Sequence, residues 1–150
     1  MRHRIQFVAA LFAVASLQLV GCKEASTYTK VEPAHVDHKE GEDISKLTLT
    51  EKAMERLDVQ TAPVREGKIS GAAEDQASRT IVPYSSLIYL ADGAAFVYTS
   101  PEPRVFVRQP VEVDYIEGDM VVLKSGPTPG TQVASVGATE LFGTEFGVGH

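Results

Sequence analysis

The sequence predicts a mainly β chain: one small antiparallel β-domain with one short helix, placed after a cleaved signal peptide and a flexible tether. Three observations predict it. Between residues 80 and 136, short extended runs follow one another with little else between them. Asp92-Gly93, Gly118-Asp119 and Gly126-Pro127-Thr128-Pro129-Gly130 fall between those runs and supply hairpin turn geometry. Only residues 51–57 carry apolar side chains at helical spacing behind a capping residue.

The chain opens with a positive head, Arg2, His3 and Arg4, before a nearly uncharged apolar run over 5–20. That is a signal-peptide profile. Gln6, Ser16 and Gln18 dilute the run, and it falls short of the ~20 apolar residues a spanning helix needs. It ends at Leu19-Val20-Gly21-Cys22, which resembles the lipobox of bacterial lipoproteins. The resemblance implies signal cleavage between Gly21 and Cys22 and diacylation of the Cys22 sulfur. Cys22 is the only cysteine, so no disulfide forms within the chain, and acylation removes a thiol that an oxidising compartment would leave reactive. Two acyl chains give stable anchoring where one is marginal. An aspartate after the cysteine would resemble an inner-membrane retention signal. Lys23 stands there instead, which favours the outer membrane over the inner.

Without residues 1–21 the chain has the size of one modest domain. Loss of Arg2 and Arg4 takes the formal net charge from −6 to −8. Nucleic acid and anionic lipid are poor partners for such a surface. The expected organisation is a signal peptide over 1–21, a flexible tether over 22–45, a β-domain over 46–146 and a tail over 147–150.

The tether is polar and without periodicity. Leu47-Thr48-Leu49 begins the ordered part, and Thr50 is the predicted N-cap of a two-turn helix that buries Ala53, Met54 and Leu57 and stops near Asp58. Residues 59–64 read as a strand that Pro63 confines to an edge or bulge, and 67–71 as another short extended piece. Residues 72–79 are a connection. Further runs are expected at 80–82, 86–90, 95–99, 104–116, 120–123 and 132–136. In the long one, Val111, Val113 and Tyr115 alternate with Glu112 and Asp114, predicting one buried and one wet face, with Pro110 as a break or bulge.

The stretch Leu47-Thr48-Leu49-Thr50-Glu51-Lys52-Ala53, with Arg56-Leu57-Asp58-Val59-Gln60-Thr61-Ala62-Pro63-Val64, resembles the opening of the periplasmic adaptor subunits, or membrane fusion proteins, of resistance-nodulation-division (RND) efflux systems. Val82-Pro83-Tyr84-Ser85-Ser86-Leu87-Ile88, Phe96-Val97-Tyr98, Phe106-Val107-Arg108-Gln109-Pro110-Val111-Glu112-Val113 and Val136-Gly137-Ala138 resemble their closing strands. The resemblance covers residues 46–146 and implies a membrane-proximal β-domain in which the opening and closing segments pair. It also implies a short form, because only residues 65–80 stand where adaptors carry lipoyl, hairpin and barrel domains.

The expected function is non-catalytic: a lipid-anchored envelope protein facing the periplasm that binds pump or adaptor components. Its only expected cofactor is the covalent lipid on Cys22. No catalytic set is assigned, since His35, His38 and His150 are the only near-neutral bases after residue 21. His35 and His38 are weak metal candidates because His-x-x-His converges on one ion only where the backbone turns helically. A metal-handling accessory lipoprotein using that segment is the alternative function, and a decayed adaptor remnant is another. Met54 and Met120 sit in apolar patterns that predict core packing, as do most of the aromatics: Tyr84, Tyr89, Phe96, Tyr98, Phe106, Tyr115, Phe142 and Phe146.

Overall fold

The computed structural model describes residues 32–38, 45–67 and 79–147. The signal segment, Gly21, Cys22 and the first part of the expected tether lie outside them, as does the tail from residue 148 onward. The described elements are β1 (Ala34–His38), β2 (Ser45–Leu49), α1 (Glu51–Leu57), β3 (Gln60–Pro63), β4 (Arg65–Gly67), β5 (Arg79–Pro83), β6 (Ile88–Tyr89), β7 (Ala95–Glu102), β8 (Val105–Glu117), β9 (Met120–Ser125), β10 (Gln132–Val136) and α2 (Ala138–Glu145). A single 3-10 turn, Tyr84–Ser86, leads into β6.

The first helix follows its local sequence. The Thr50 hydroxyl accepts from the Ala53 amide at 3.2 Å, satisfying one of the orphan donors of the first turn. Asp58 ends the helix in a left-handed conformation, φ 47°, with its amide bonded back into the last turn. Ala53 is buried, and Met54 and Leu57 pack beside it, as the spacing predicts.

The sheet is antiparallel and curled, with strands in the order β3-β10-β7-β8-β9-β5-β4. β8 is long enough to take two partners along one edge: Val105, Phe106 and Val107 pair with β2, and residues from Glu112 onward pair with β9. Its other edge carries β7. Residues 60–67 form one extended run broken only at Val64, whose amide and carbonyl bond to Thr131 and Gly130. The run gives β3 to β10 at one end of the sheet and β4 to β5 at the other, so it ties the two ends together. β2 and β3, from the opening segment, therefore pair with β8 and β10 of the closing segment.

Two cores lie on opposite faces of β7. Phe96 and Tyr98 join Leu47, Leu49, Phe106 and Leu141 in one, while Val97 joins Val64, Val82, Val121, Leu123 and Val133 in the other. Burial on both faces explains why Phe96-Val97-Tyr98 reads as a continuous apolar run rather than an alternation.

Three expectations are corrected. The tether was expected to run to residue 45, but Ala34–His38 is strand β1, with Ala34 opposite Leu49 and Val36 opposite Leu47. Ala34 and Val36 pack on the first core, and their alternation is too short to stand out in a polar sequence. A second helix exists, α2, whose usual signals are missing: its N-cap is Gly137 with no side-chain cap, and Gly143 interrupts its interior. Gly137 sits at φ 80°, and a Cβ there would meet Val59 Cγ2 at 3.0 Å and the Leu57 carbonyl oxygen at 3.2 Å. Glycine thus lets α2 start against the end of α1. Finally, Pro110 does not break β8. It stands opposite Phe96 where the far edge of β8 passes from β2 to β9, a stretch with no partner strand on that edge.

A buried polar contact fastens α2 to the sheet. The Tyr98 hydroxyl donates to Glu145 Oε2 at 2.6 Å, and Arg108 Nε donates to Glu145 Oε1 at 2.9 Å. The Arg108 guanidinium also lies 5.4 Å from the Phe96 ring centroid and 5.1 Å from that of Phe146. A carboxylate in the last turn opposes the helix dipole, so Glu145 is explained by these tertiary bonds rather than by helix stability. Burial, then the hydrogen bond to Glu145 and its negative charge, raise the Tyr98 phenol far above its ordinary value, while Arg108 opposes them.

A folded-state pKa above the unfolded one gives stability that is complete below the ordinary value of 10.0 and lost as pH rises through the folded one. Denaturant titrations above pH 10 are therefore expected to show stability falling with an added slope of about 1.4 kcal/mol per pH unit that Tyr98→Phe removes. Glu145→Ala, which removes the acceptor of the buried Tyr98 hydroxyl and the carboxylate facing Arg108 Nε, is expected to cost roughly 3 kcal/mol in the same measurement at neutral pH.

Candidate docking surface

The outer face of the β5-β9-β8 portion is assembled by a register change. Val121 and Leu123 point into the second core, so Met120 and Val122 face outward by strand alternation. On β8, Val113 pairs with Leu123, but the next rung joins Tyr115 to Val122. Asp114 is the extra residue of a β-bulge there. The bulge moves Tyr115 from the face of Val113 to the outer one.

The alternation read from the sequence is corrected at this point. Val111 and Val113 do pack on the second core, but Tyr115 is 37 % exposed. A signal was present: Tyr115-Ile116 places two apolar residues in succession, which an unbroken alternation does not do.

On the outer face, Ile81, Val122 and Tyr115 share one rung, and Pro83, Met120 and Glu117 the next. Val122 is buried and forms the floor. Met120, expected in the core, is exposed beside it. Ile116, exposed at 45 %, stands opposite Val121 and so lies at the same end of the hairpin but on the other face. The Tyr84 amide donates to the Asp119 carbonyl at 2.9 Å, which sets Tyr84, also exposed, next to the hairpin tip. The aromatics therefore divide. Phe96, Tyr98 and Phe106 are buried and Phe142 packs against the first core, whereas Tyr84, Tyr89, Tyr115 and Phe146 are exposed, against expectation.

Charges surround the apolar strip. Asp114 lies 3.9 Å from Arg79, and Glu112 lies 3.5 Å from Lys124. Among the described residues no cation pairs with Glu117 or Asp119 at the tip. The Tyr115 phenol is held above its ordinary value, first by partial desolvation and then by the charges of Glu117 and Asp114, with Arg79 acting in the opposite sense. The potential at the tip is thus negative. The arrangement is an exposed apolar strip with a charged margin.

The metal candidates do not converge. The helical turn that His-x-x-His requires is not formed, since residues 34–38 are extended, and His35 Nε2 contacts Asp37 Oδ1 at 2.9 Å on an exposed strand. Among the described residues no group of three or more His, Cys, Asp or Glu is arranged to hold a metal ion. No helix among them is long and apolar enough to cross a membrane. Cys22 and Gly21 remain outside the described residues. No protein-family model, curated protein or solved structure matches the chain.

An NMR-monitored titration of the tyrosines is expected to place the Tyr115 phenol above 10.0, and Glu117→Gln to lower it. An unchanged value in that variant would contradict the negative potential assigned to the tip.

Proposed function

We propose that the chain is a non-catalytic, lipid-anchored envelope protein that acts as a membrane-proximal docking module for pump or adaptor components of an RND-type efflux assembly. The pairing of β2 with β8 and of β3 with β10 carries the reading. The adaptor-like opening and closing segments, far apart in sequence, form one sheet, which is the arrangement that the resemblance implies. The outer face of β5, β9 and β8 supports a binding role over a catalytic one.

Anchoring follows from Cys22 and its preceding residues. Because β1 begins at Ala34, the chain from Cys22 to the sheet spans at most ~40 Å even when fully extended. The domain then works close to the membrane that holds it, and its partner is one that reaches that surface.

Affinity purification of the full chain from detergent-solubilised envelopes tests this. The expected result is an N-terminal Cys22 peptide bearing fatty acid and recovery of a pump or adaptor subunit. Cys22→Ser is expected to move the protein to the soluble fraction and to lose most of that recovery, as effective concentration at the membrane is lost. Acylated protein recovered without any pump, adaptor or channel component would overturn the efflux reading.

A further inference from the structure

We infer that the exposed outer face at the end of the β8-β9 hairpin, centred on Tyr115 and Met120, is the contact surface for a protein partner whose matching patch is apolar at its centre and rimmed by Lys or Arg. The inference rests on the reading of the chain as a docking module and names the surface and the partner's chemistry.

Four observations converge on it. Tyr115 and Met120 are exposed on adjacent rungs of one face, beside a buried floor at Val122, and exposed Tyr84 flanks the hairpin tip. The bulge at Asp114 is what brings Tyr115 to this face, and bulges concentrate where a strand must re-aim a side chain for function. Glu117 and Asp119 give the margin a negative charge, and the Tyr115 phenol is raised first by desolvation and then by the charges of Glu117 and Asp114. Apolar anchors inside a charged rim are the anatomy of a specific protein interface, in which the anchors supply affinity and the rim supplies orientation.

Charge decides the class of partner. An anionic bilayer is repelled by Glu117, Asp119 and Asp114, and a second copy would bring the same negative rim against itself. The described chain also starts at the other end of β8: the Pro33 carbonyl accepts from the Thr50 amide, and the Arg104 carbonyl, just before β8, accepts from Leu49. The 13-residue β8 runs about 40 Å along its length between that end and the hairpin tip. The tip is thus set away from where the anchored segment enters the fold.

Site-specific photo-crosslinking with the full acylated chain in its native envelope tests this. A photoreactive phenylalanine analogue replaces Tyr115 or Met120, and Lys52 on exposed α1 serves as the control position. The expected result is crosslinks from 115 and 120, not from 52, to one protein, mapping within a patch that contains Lys or Arg around apolar residues. Combined Glu117→Lys and Asp119→Lys is expected to reduce them roughly tenfold. Glu117→Gln with Asp119→Asn, which leaves the fold's packing alone, is expected to give a smaller loss.

Crosslinks to lipid, to a second copy of this chain or to no protein, or charge reversal without effect, would overturn the inference. Unchanged recovery of pump subunits by the charge-reversed chain would overturn this surface while leaving the efflux reading standing. Crosslinks of the expected kind to a protein outside any pump would uphold the surface and overturn the efflux reading.

Discussion

Strand β8 is too long to have a single neighbour along one edge, and the rest of the fold is arranged around that fact. Its first residues take β2 and its last take β9, while β7 runs along the opposite edge. The handover divides the molecule into two regions with separate cores. The first core is covered by both helices and is shared by the opening segment with β7, β8 and α2, and the second lies under β5 and β9. β7 serves both, with Phe96 and Tyr98 on one side and Val97 on the other. A polar substitution in this strand therefore disrupts a core whichever way its side chain points, the first at Phe96 or Tyr98 and the second at Val97. The run 60–67 gives the two regions a shared strand and resists their separation.

The buried polar contact and the proposed docking face are placed at different positions on this frame. Tyr98, Arg108 and Glu145 hold α2 over the first core, and both oxygens of the Glu145 carboxylate are satisfied in a setting where an unpaired carboxylate would be costly. Among the described residues no helix lies over the β8-β9 end. There, apolar side chains are left outward and acidic ones surround them, an arrangement that folding alone does not require. Separating the two functions lets the docking face vary with little effect on the first core.

Much of the fold was legible in the sequence because local rules and tertiary packing agree. The Thr50 cap, the helix that follows it and its stop at Asp58 follow from side-chain chemistry within one turn. β7, β8, β9 and β10 were legible because turn residues bracket them and their apolar content is high. β1 was not, since its two core-facing residues are small and lie in a polar segment. α2 was not either, because its position depends on Gly137 fitting against Val59 and on Glu145 reaching across to Tyr98, relations between residues far apart in the chain. The docking face was hidden for the same kind of reason. Alternation assigns Tyr115 to the core, and only the pairing with β9 reveals that the extra residue Asp114 reverses it. The pair Tyr115-Ile116 was the one local trace of that reversal.

The claim on which this account depends is that the outer face of the β8-β9 hairpin is covered by protein when the chain is in its envelope assembly. Hydrogen-deuterium exchange on the acylated chain, compared between the purified free protein and the partner-bound form extracted from envelopes, measures this directly. The account predicts added protection at the hairpin end of β8 and β9 and unchanged exchange in α1. Protection confined to β1 or α1, with the hairpin end exchanging as in the free protein, would contradict it.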